Sequence, residues 1–285
     1  MSIEDSYLRQ AEAESVMSMP TRYTNPGSID NWRHTRMLSM TRPLISAMPK
    51  SSWMTVGDGR YGSDAAYLEA QGVDVLATSL TDDLLKIAYE AGFISKYQSE
   101  NAEHLSPAEN SVDFVLCKES YHHFPRPPIA LYEMLRVSKV GVVLIEPIDN
   151  SRPLDRLKVV LKRLIRGDHE MNFEPSGNFI YKPSVAELSK LLTAMGGRYI
   201  AVKKFNDFFH PKFGNCDAAS VNMGSTITKL GILAQDGLAK LGLMGYGLGS
   251  IIIFKGVPSA EVVESVRAAS YGIIELPINP YPSVS

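Results

Sequence analysis

The sequence predicts an α/β protein in which helices cover both faces of a mainly parallel β-sheet, and two patterns support this prediction. Short apolar segments alternate with amphipathic ones between Trp53 and Lys255, as they do when crossover helices join parallel strands. The first apolar segment also runs directly into a Gly-x-Gly-x-x-Gly turn at residues 57–62. Because open sheets of this kind bind ligands beyond the carboxyl ends of their strands, we expect a ligand site near this turn.

The composition is that of an ordinary globular protein. Of the 285 residues, 45% are hydrophobic and 21% are charged, which is enough apolar sequence for a packed core. The net charge of −2 lacks the basic excess of nucleic-acid-binding proteins, so no nucleic acid partner is expected. The longest apolar stretch, 227–254, contains charged residues and many glycines, so no integral membrane segment is expected.

The cysteines and the N-terminal residues bear on location and metal binding. Cys117 and Cys216 are too few for a disulfide framework and belong to no Cys/His cluster, so we expect reduced thiols and no metal site. The chain begins with acidic residues, including Glu4 and Asp5, rather than with a basic region and an apolar run. These features together predict a cytoplasmic protein.

The N-terminal part, residues 1–50, is predicted to form a helical cap. An Asn-Pro-Gly turn at 25–27 precedes Ser28, whose side chain can cap a helix that runs to Met48. A break at 49–52 then leads into the first strand of the core.

The core, residues 51–256, is predicted to alternate strands and helices. The predicted strands cover residues 53–56, 73–78, a short segment that ends near 101, 112–117, 140–145, 199–205 and 251–255. The predicted helices follow the glycine turn as far as residue 71 and then cover residues 81–91, 127–137 and 184–195.

Two inserts interrupt this alternation, and an extension follows it. Residues 148–182 contain a basic amphipathic helix at about 154–165 and are predicted to form a lid or substrate insert. Residues 214–249 are predicted to form a Gly-rich helical insert, whose apolar residues suit either a homodimer interface or a buried helix. Residues 257–285 form a C-terminal extension with a helix near 260–269.

The glycine turn has a physical use, because glycines let the backbone bend tightly and approach a ligand closely. Folds that bind a nucleotide at such a turn usually place an acidic residue at the end of the second strand, where it holds the ribose hydroxyls. Here that position is Ser79. A serine hydroxyl makes fewer and weaker hydrogen bonds to two ribose hydroxyls than a carboxylate does.

Four later segments, in this order and spacing, carry a resemblance to a known family. They are Glu-Asn-Ala-Glu-His-Leu at 100–105, His-His-Phe-x-x-Pro at 122–127, Glu-Met-Leu-Arg-Val at 133–137 and Leu-Ile-Glu-Pro at 144–147. With the glycine turn, this set resembles the class I S-adenosylmethionine (SAM)-dependent methyltransferases, in particular the quinone-biosynthesis and small-molecule branch. The resemblance covers residues 53–147. This sequence departs from the family pattern at Thr55 and Ser79, where that family often has acidic residues.

The resemblance implies a Rossmann-like, seven-stranded class I methyltransferase sheet that binds SAM and releases S-adenosyl-L-homocysteine. By this resemblance, the cofactor-binding residues are Gly57, Asp58, Gly59 and Tyr61 at the methionine part; Ser79 and Leu80 at the ribose and adenine; Asn101, Ala102 and Glu103 at the adenine; and Cys117 and Lys118 near the sulfonium. Arg33, on the N-terminal helix, is a candidate for the SAM carboxylate. An aspartate at position 79 is expected to strengthen SAM binding.

Methyl transfer to a hydroxyl is helped by a general base, and histidine is the side chain whose pKa lies nearest neutrality. His122 and His123 follow the fourth strand at the expected site, and Glu119 is placed to orient or tune one of them. A structural role for this histidine pair is the alternative.

The acceptor is expected to be a small molecule, such as a sugar or another biosynthetic intermediate that offers a hydroxyl. Glu174, Asn178 and Tyr181 lie among aromatic residues in the first insert and are the candidate substrate residues. The sequence is also compatible with two other functions. A serine at the end of the second strand also suits an NADP-dependent oxidoreductase, and the missing acid suits a non-catalytic partner protein with the same fold.

Overall fold

The computed structural model describes residues 3–149, 173 and 179–278. Their centre is one eight-stranded sheet in the order β3-β2-β1-β4-β5-β7-β6-β8. The strands are β1 (Ser52–Val56), β2 (Asp74–Ser79), β3 (Tyr97–Ser99), β4 (Val112–Lys118), β5 (Ser138–Pro147), β6 (Tyr199–Phe205), β7 (Leu248–Phe254) and β8 (Gly272–Glu275).

The sheet is mixed rather than wholly parallel. Strands β1 to β5 pair in parallel, as the alternation of strands and helices predicts. Strand β7 inserts between β5 and β6 and is antiparallel to both. The predicted count of seven strands is exceeded by one, because β8 of the C-terminal extension adds antiparallel to the edge of β6. Its segment, Gly-Ile-Ile-Glu, is too short for the sequence pattern alone to mark it as a strand.

Alternating residues of the central strands fill two separate hydrophobic cores, one on each face of the sheet. Trp53 and Phe114 stack against each other on one face, with ring centroids 4.7 Å apart. Their neighbours Met54 and Val115 point to the other face, because successive side chains of a strand alternate between faces. Both faces are therefore covered, as the near-continuous apolar sequence of these strands predicts.

The described part of the N-terminal cap contains four α-helices, two before Ser28 and two after it, where the sequence predicts one helix from Ser28 to Met48. Ser28 does cap a helix, since its Oγ accepts a hydrogen bond from the backbone N–H of Asn31 at 3.1 Å. The helix ends at Leu38, not at Met48, and a new one starts with Pro43 in its first turn, because proline cannot continue a helical hydrogen-bond ladder. The four helices are α1 (Ile3–Ser15), α2 (Thr21–Thr24), α3 (Ile29–Leu38) and α4 (Arg42–Ala47).

The remaining helices fall close to their predicted positions. They are α5 (Ser63–Glu69), α6 (Asp83–Glu90), α7 (Pro127–Val137), α8 (Val185–Ala194), α9 (Met223–Lys240) and α10 (Ala260–Ala268). Helix α9 is the body of the predicted Gly-rich insert, and α10 packs against α4. The predicted basic helix at 154–165 lies outside the described residues. Within the described ranges, no helix combines the length and the apolar character needed to cross a bilayer.

Candidate active site

A cavity of about 410 Å³ opens beyond the carboxyl ends of β1, β2 and β4, where the glycine turn predicted it. The sheet side of the cavity comes from the loops that follow these strands, and α1 and α3 form the opposite side. The polar and charged side chains that line it include Tyr7, Gln10, Glu14, Arg22, His34, Asp58, Arg60, Asp64, Ser79, Glu100, Asn101, Glu103, Lys118, Glu119, Ser120 and His123.

Hydrogen bonds to the side chain of Asp58 stabilise the glycine turn. Its carboxylate accepts hydrogen bonds from the backbone N–H groups of Asp64 (3.1 Å) and Ala65 (2.8 Å), at the start of α5. The Thr55 hydroxyl donates to the same carboxylate at 3.1 Å. Burial, and then the nearby Asp64, raise the pKa of Asp58. Asp58 therefore caps the helix that follows the turn and fixes the shape of the turn.

The loop after β3 brings Asn101, Ala102 and Glu103 to the cavity, as the resemblance implies. Asn101 Oδ1 accepts from the backbone N–H of Glu103 at 2.9 Å, which closes a tight turn. The Glu103 carboxylate in turn accepts from the Arg126 Nε and backbone N–H, both at 2.6 Å, and from the Tyr7 hydroxyl at 2.7 Å. Glu103 thus ties the loop to the first helix of the cap.

A chain of opposite charges lines the cavity at the end of β4. Lys118 Nζ lies 3.0 Å from a carboxylate oxygen of Glu119 and 3.5 Å from one of Asp64. Glu119 has a left-handed backbone with φ of 51°, and its carboxylate lies 3.5 Å from His34 Nδ1. Burial alone would raise the pKa of Glu119, but Lys118 and His34 hold it well below its usual value. Glu119 is therefore an anion at the cavity wall.

The carboxylate that contacts His122 is Glu146, not Glu119. Glu146 is fully buried at the end of β5. Its Oε1 accepts the backbone N–H groups of Ser120 (2.8 Å) and Tyr121 (2.9 Å), and its Oε2 lies 2.6 Å from His122 Nδ1. The sequence predicts that Glu119 orients or tunes one of the two histidines. In the structure, its carboxylate lies beside Lys118 and His34, and Glu146 is the carboxylate beside His122.

The two histidines have different positions relative to the cavity. His123 lines it, whereas His122 is buried behind it against Glu146. Their rings are in contact, with centroids 3.9 Å apart. A carboxylate at Nδ1 favours the tautomer with the proton on that nitrogen and stabilises the imidazolium form.

Helix α1 covers the cavity with one face. Tyr7 on this face donates to Glu103, and Gln10 Nε2 donates to the backbone carbonyl of His123. Glu14 follows one turn later and also lines the cavity. Residues three and four apart share a helix face, so both hydrogen bonds fix the rotation of α1 that directs Glu14 inward.

Most of the predicted cofactor residues line the cavity, and three do not. The residues that do are Gly57, Asp58, Gly59, Ser79, Leu80, Asn101, Ala102, Glu103 and Lys118. Cys117 is fully buried inside β4. Tyr61 packs against the hydrophobic core, and its backbone carbonyl accepts from the Tyr23 hydroxyl. Arg33 is committed to ion pairs with Asp30 and Asp207, so it does not face the cavity.

Of the three candidate substrate residues, the structure describes only Tyr181. Glu174 and Asn178 lie outside the described residues. Tyr181 contacts the Tyr121 ring edge-on, with centroids 6.1 Å apart, and its hydroxyl donates to Glu187. Its backbone N–H donates to the His122 carbonyl at 3.1 Å. Tyr181 therefore lies behind the histidine pair and does not line the cavity.

The sequence did not predict Glu14 and His34 as site residues, nor Glu146 as the carboxylate that contacts His122. Glu146 lies in a quoted motif at the end of a buried strand, and a carboxylate at a strand end is a usable signal. His34 directly follows Arg33, the candidate residue on α3. Glu14 has no local signal, because only the docking of α1 brings it to β2.

Comparisons with known proteins agree with this geometry. Residues 54–145 match the family model described as a methyltransferase domain. The fold is similar to the YcgJ protein from Bacillus subtilis, at 18% identity with a TM-score of 0.53, over 79% of this chain and 100% of that one. It is also similar to a SAM-dependent methyltransferase from Archaeoglobus fulgidus, at 16% identity with a TM-score of 0.50, over 78% and 94%. None of the curated proteins compared matches the sequence.

The matched domain and the sheet together define a SAM-dependent methyltransferase of class I. Its cofactor is S-adenosylmethionine. Residues 54–145 contain the glycine turn, the loop at 101–103 and the histidine pair, so the matched part is also the part that builds most of the cavity.

The residues present fit this cofactor. Leu80 and Ala102 offer apolar surface beside Asn101, as an adenine requires. The charged side chains that line the cavity comprise six carboxylates (Glu14, Asp58, Asp64, Glu100, Glu103 and Glu119) and three cations (Arg22, Arg60 and Lys118). Burial raises the pKa values of Glu14 and Asp58, but the other four carboxylates still outnumber the three cations, and this balance favours a ligand with a sulfonium cation. Arg22 and Arg60 line the cavity, whereas Arg33 does not.

Proposed function

We propose that this methyltransferase acts on a hydroxyl of a small molecule, such as a sugar or another polar biosynthetic intermediate. The observation that carries the proposal is that His123, Glu119 and the glycine turn line the same cavity. SAM supplies an already activated methyl group, so the protein's task is to orient the acceptor, exclude water and remove a proton.

In this proposal His123 is the general base. It lines the cavity, and its ring lies against the ring of His122, which Glu146 holds. His122 and Glu146 are positioning residues, because they act on the base and not on the acceptor. Glu119, kept ionised by Lys118 and His34, supplies an acceptor for a second hydroxyl of the substrate.

The charge at the end of β2 opposes the alternative of an NADP-dependent oxidoreductase. Such an enzyme binds the 2′-phosphate of its cofactor near this position, usually with a basic side chain. Here the Glu14 carboxylate lies close to Ser79. A dianionic phosphate beside this carboxylate would be strongly repelled in a partly buried site.

Calorimetric titration separates the two cofactors. We expect S-adenosylhomocysteine and SAM to bind and NADPH to show no saturable heat. At a ligand concentration of about one hundred times its Kd, the free energy of unfolding should rise by about 2.7 kcal/mol, which a thermal melt detects. Binding of NADPH in preference to SAM would contradict the assignment.

Replacement of His123 by alanine tests the proposed base. A positioned general base contributes about 100- to 10,000-fold to rate, so His123→Ala should lower kcat by about 100-fold or more. The Kd of S-adenosylhomocysteine should stay unchanged. The assay incubates the protein with SAM that carries a deuterated methyl group and a set of hydroxylated small molecules, and reads the mass of the products. His210→Ala, at an exposed histidine outside the cavity, is the control.

Two outcomes would contradict this proposal. Full turnover in His123→Ala would contradict the assignment of His123 as the general base. Methyl transfer only to nitrogen or carbon acceptors would contradict the hydroxyl acceptor, but not the methyltransferase activity itself.

A further inference from the structure

The end of β2 lacks the carboxylate that nucleotide-binding folds of this type place there. That carboxylate accepts hydrogen bonds from the ribose hydroxyls of the ligand. The position is occupied by Ser79, which is buried and lines the cavity. A single serine hydroxyl makes weaker hydrogen bonds to two ribose hydroxyls than an ionised carboxylate does.

A carboxylate reaches this place from another part of the chain. Glu14, near the end of α1, is 7% exposed and lines the cavity. A Cβ atom built on Gly59 would lie 2.3 Å from Glu14 Oε1 and 2.7 Å from Ser79 Oγ. The Glu14 carboxylate therefore lies over the second glycine of the turn and beside Ser79, where the ribose-binding acid of the fold is expected.

Within the part of the chain that the structure describes, one oxygen of the buried Glu14 carboxylate is left without a donor, although Ser79 and Thr81 hydrogen-bond to the carboxylate. Among the described residues, Oε1 has no hydrogen-bond partner. Burial raises the pKa of Glu14, the hydroxyls of Ser79 and Thr81 offset part of this rise, and Asp83 adds to it. A buried acceptor without a donor is costly and rare in folded proteins, so a donor from a ligand is the natural partner.

The orientation of Glu14 is set by the rest of α1. Tyr7 and Gln10 on the same helix face donate to Glu103 and to the His123 carbonyl. Each of these partners belongs to a loop that lines the cavity. Hydrogen bonds therefore hold the helix to the loop after β3 and to the loop after β4. They direct Glu14 at the space between these two loops and the glycine turn.

We propose that the Glu14 carboxylate binds the ribose hydroxyls of SAM and so replaces the acid that β2 lacks. The cofactor site is then completed by a helix of the N-terminal cap, not by the sheet alone. The proposal rests on SAM as the cofactor.

The test measures the binding of two probes by calorimetry: S-adenosylhomocysteine and its 2′-deoxy analogue. A hydrogen bond to a charged group contributes enough that Glu14→Gln should weaken S-adenosylhomocysteine binding by about ten- to one-hundredfold. The wild type should bind the 2′-deoxy analogue correspondingly more weakly. Glu14→Gln should distinguish the two probes much less, because the hydroxyl has lost its charged acceptor.

A second-site variant completes the design. Ser79→Asp alone places a second carboxylate beside Glu14, so it should not strengthen binding in the wild type, contrary to what the sequence alone suggests. In the Glu14→Gln background the same change restores a carboxylate at the ribose position and should recover most of the lost affinity. Glu12→Gln, at an exposed position of the same helix, is the matched control and should bind both probes as the wild type does.

A merely structural role gives different results. The ligand-free Glu14→Gln protein should melt no lower than the wild type, because a neutral amide replaces a buried carboxylate that has one oxygen without a donor from the described residues. Unchanged S-adenosylhomocysteine binding in Glu14→Gln, or equal losses for both probes, would overturn the assignment of Glu14 and leave the methyltransferase class standing. Absence of S-adenosylhomocysteine binding in the wild type would overturn the cofactor itself.

Discussion

Replacement of Gly57 by alanine should weaken cofactor binding by about one hundredfold or more. Gly57 has φ of +76°, and a Cβ atom there would lie 2.6 Å from Ser120 Cβ. The left-handed backbone costs a non-glycine residue about 1 kcal/mol or more, and overpacking against a fixed neighbour costs about 1–3 kcal/mol. The turn must therefore shift away from Ser120.

This shift affects the whole site, because Ser120 joins two of its walls. Its Oγ donates to the Gly57 carbonyl at 2.7 Å, and its backbone N–H donates to Glu146 at 2.8 Å. A combined loss of about 2–4 kcal/mol corresponds to a melting temperature lower by about 4–16 °C. The Kd of S-adenosylhomocysteine should rise by about one hundredfold or more, since each 1.4 kcal/mol is a factor of about ten.

A second glycine separates backbone strain from the clash. Gly72 also has a left-handed backbone, with φ of +87°, but a Cβ atom there meets nothing within 4 Å. Gly72→Ala should therefore show the conformational cost alone, with unchanged ligand binding. Ser120→Gly combined with Gly57→Ala should recover part of the lost binding by removing the clashing atom. Equal effects of the two glycine variants would show that the contact with Ser120 is unimportant.

Loss of Glu146 should have the largest effect on stability among the variants considered. Glu146→Ala leaves two buried backbone N–H groups and the His122 ring without the acceptor they now share. Removal of one member of a buried, hydrogen-bonded charged group typically costs about 3–5 kcal/mol. The melting temperature should therefore fall by about 6–20 °C. Glu90→Ala, at an exposed glutamate on α6, should change it by no more than about 2 °C.

The conservative variant Glu146→Gln isolates the role of the charge. A glutamine oxygen can still accept from Ser120 and Tyr121, so most of the stability should be kept. Its NH₂ group favours His122 with an unprotonated Nδ1, which reverses the tautomer. We expect ¹⁵N chemical shifts of the imidazole to report this reversal, and turnover to fall while S-adenosylhomocysteine binding stays the same. An unchanged His122 spectrum in Glu146→Gln would contradict the assigned hydrogen bond.

The parallel half of the sheet and the strand-end loops of the site can be predicted from the amino-acid sequence alone. Residues 57–60 of the glycine turn, Ser79, residues 101–103 and Lys118 all line the cavity. They could be predicted because each directly follows a strand with a clear apolar pattern, and parallel strands bring their carboxyl ends to one edge.

The distant residues that complete the site are brought to it by tertiary packing, which no local sequence pattern specifies. The docking of α1 against the loops brings Glu14 to Ser79, and the left-handed backbone at Glu119 turns this residue towards His34 and leaves His122 to Glu146. The antiparallel insertion of β7 and the added edge strand β8 likewise could not be predicted from the sequence pattern. Local periodicity records which face of an element is apolar, but not which neighbour covers that face, because packing partners are selected by the whole fold.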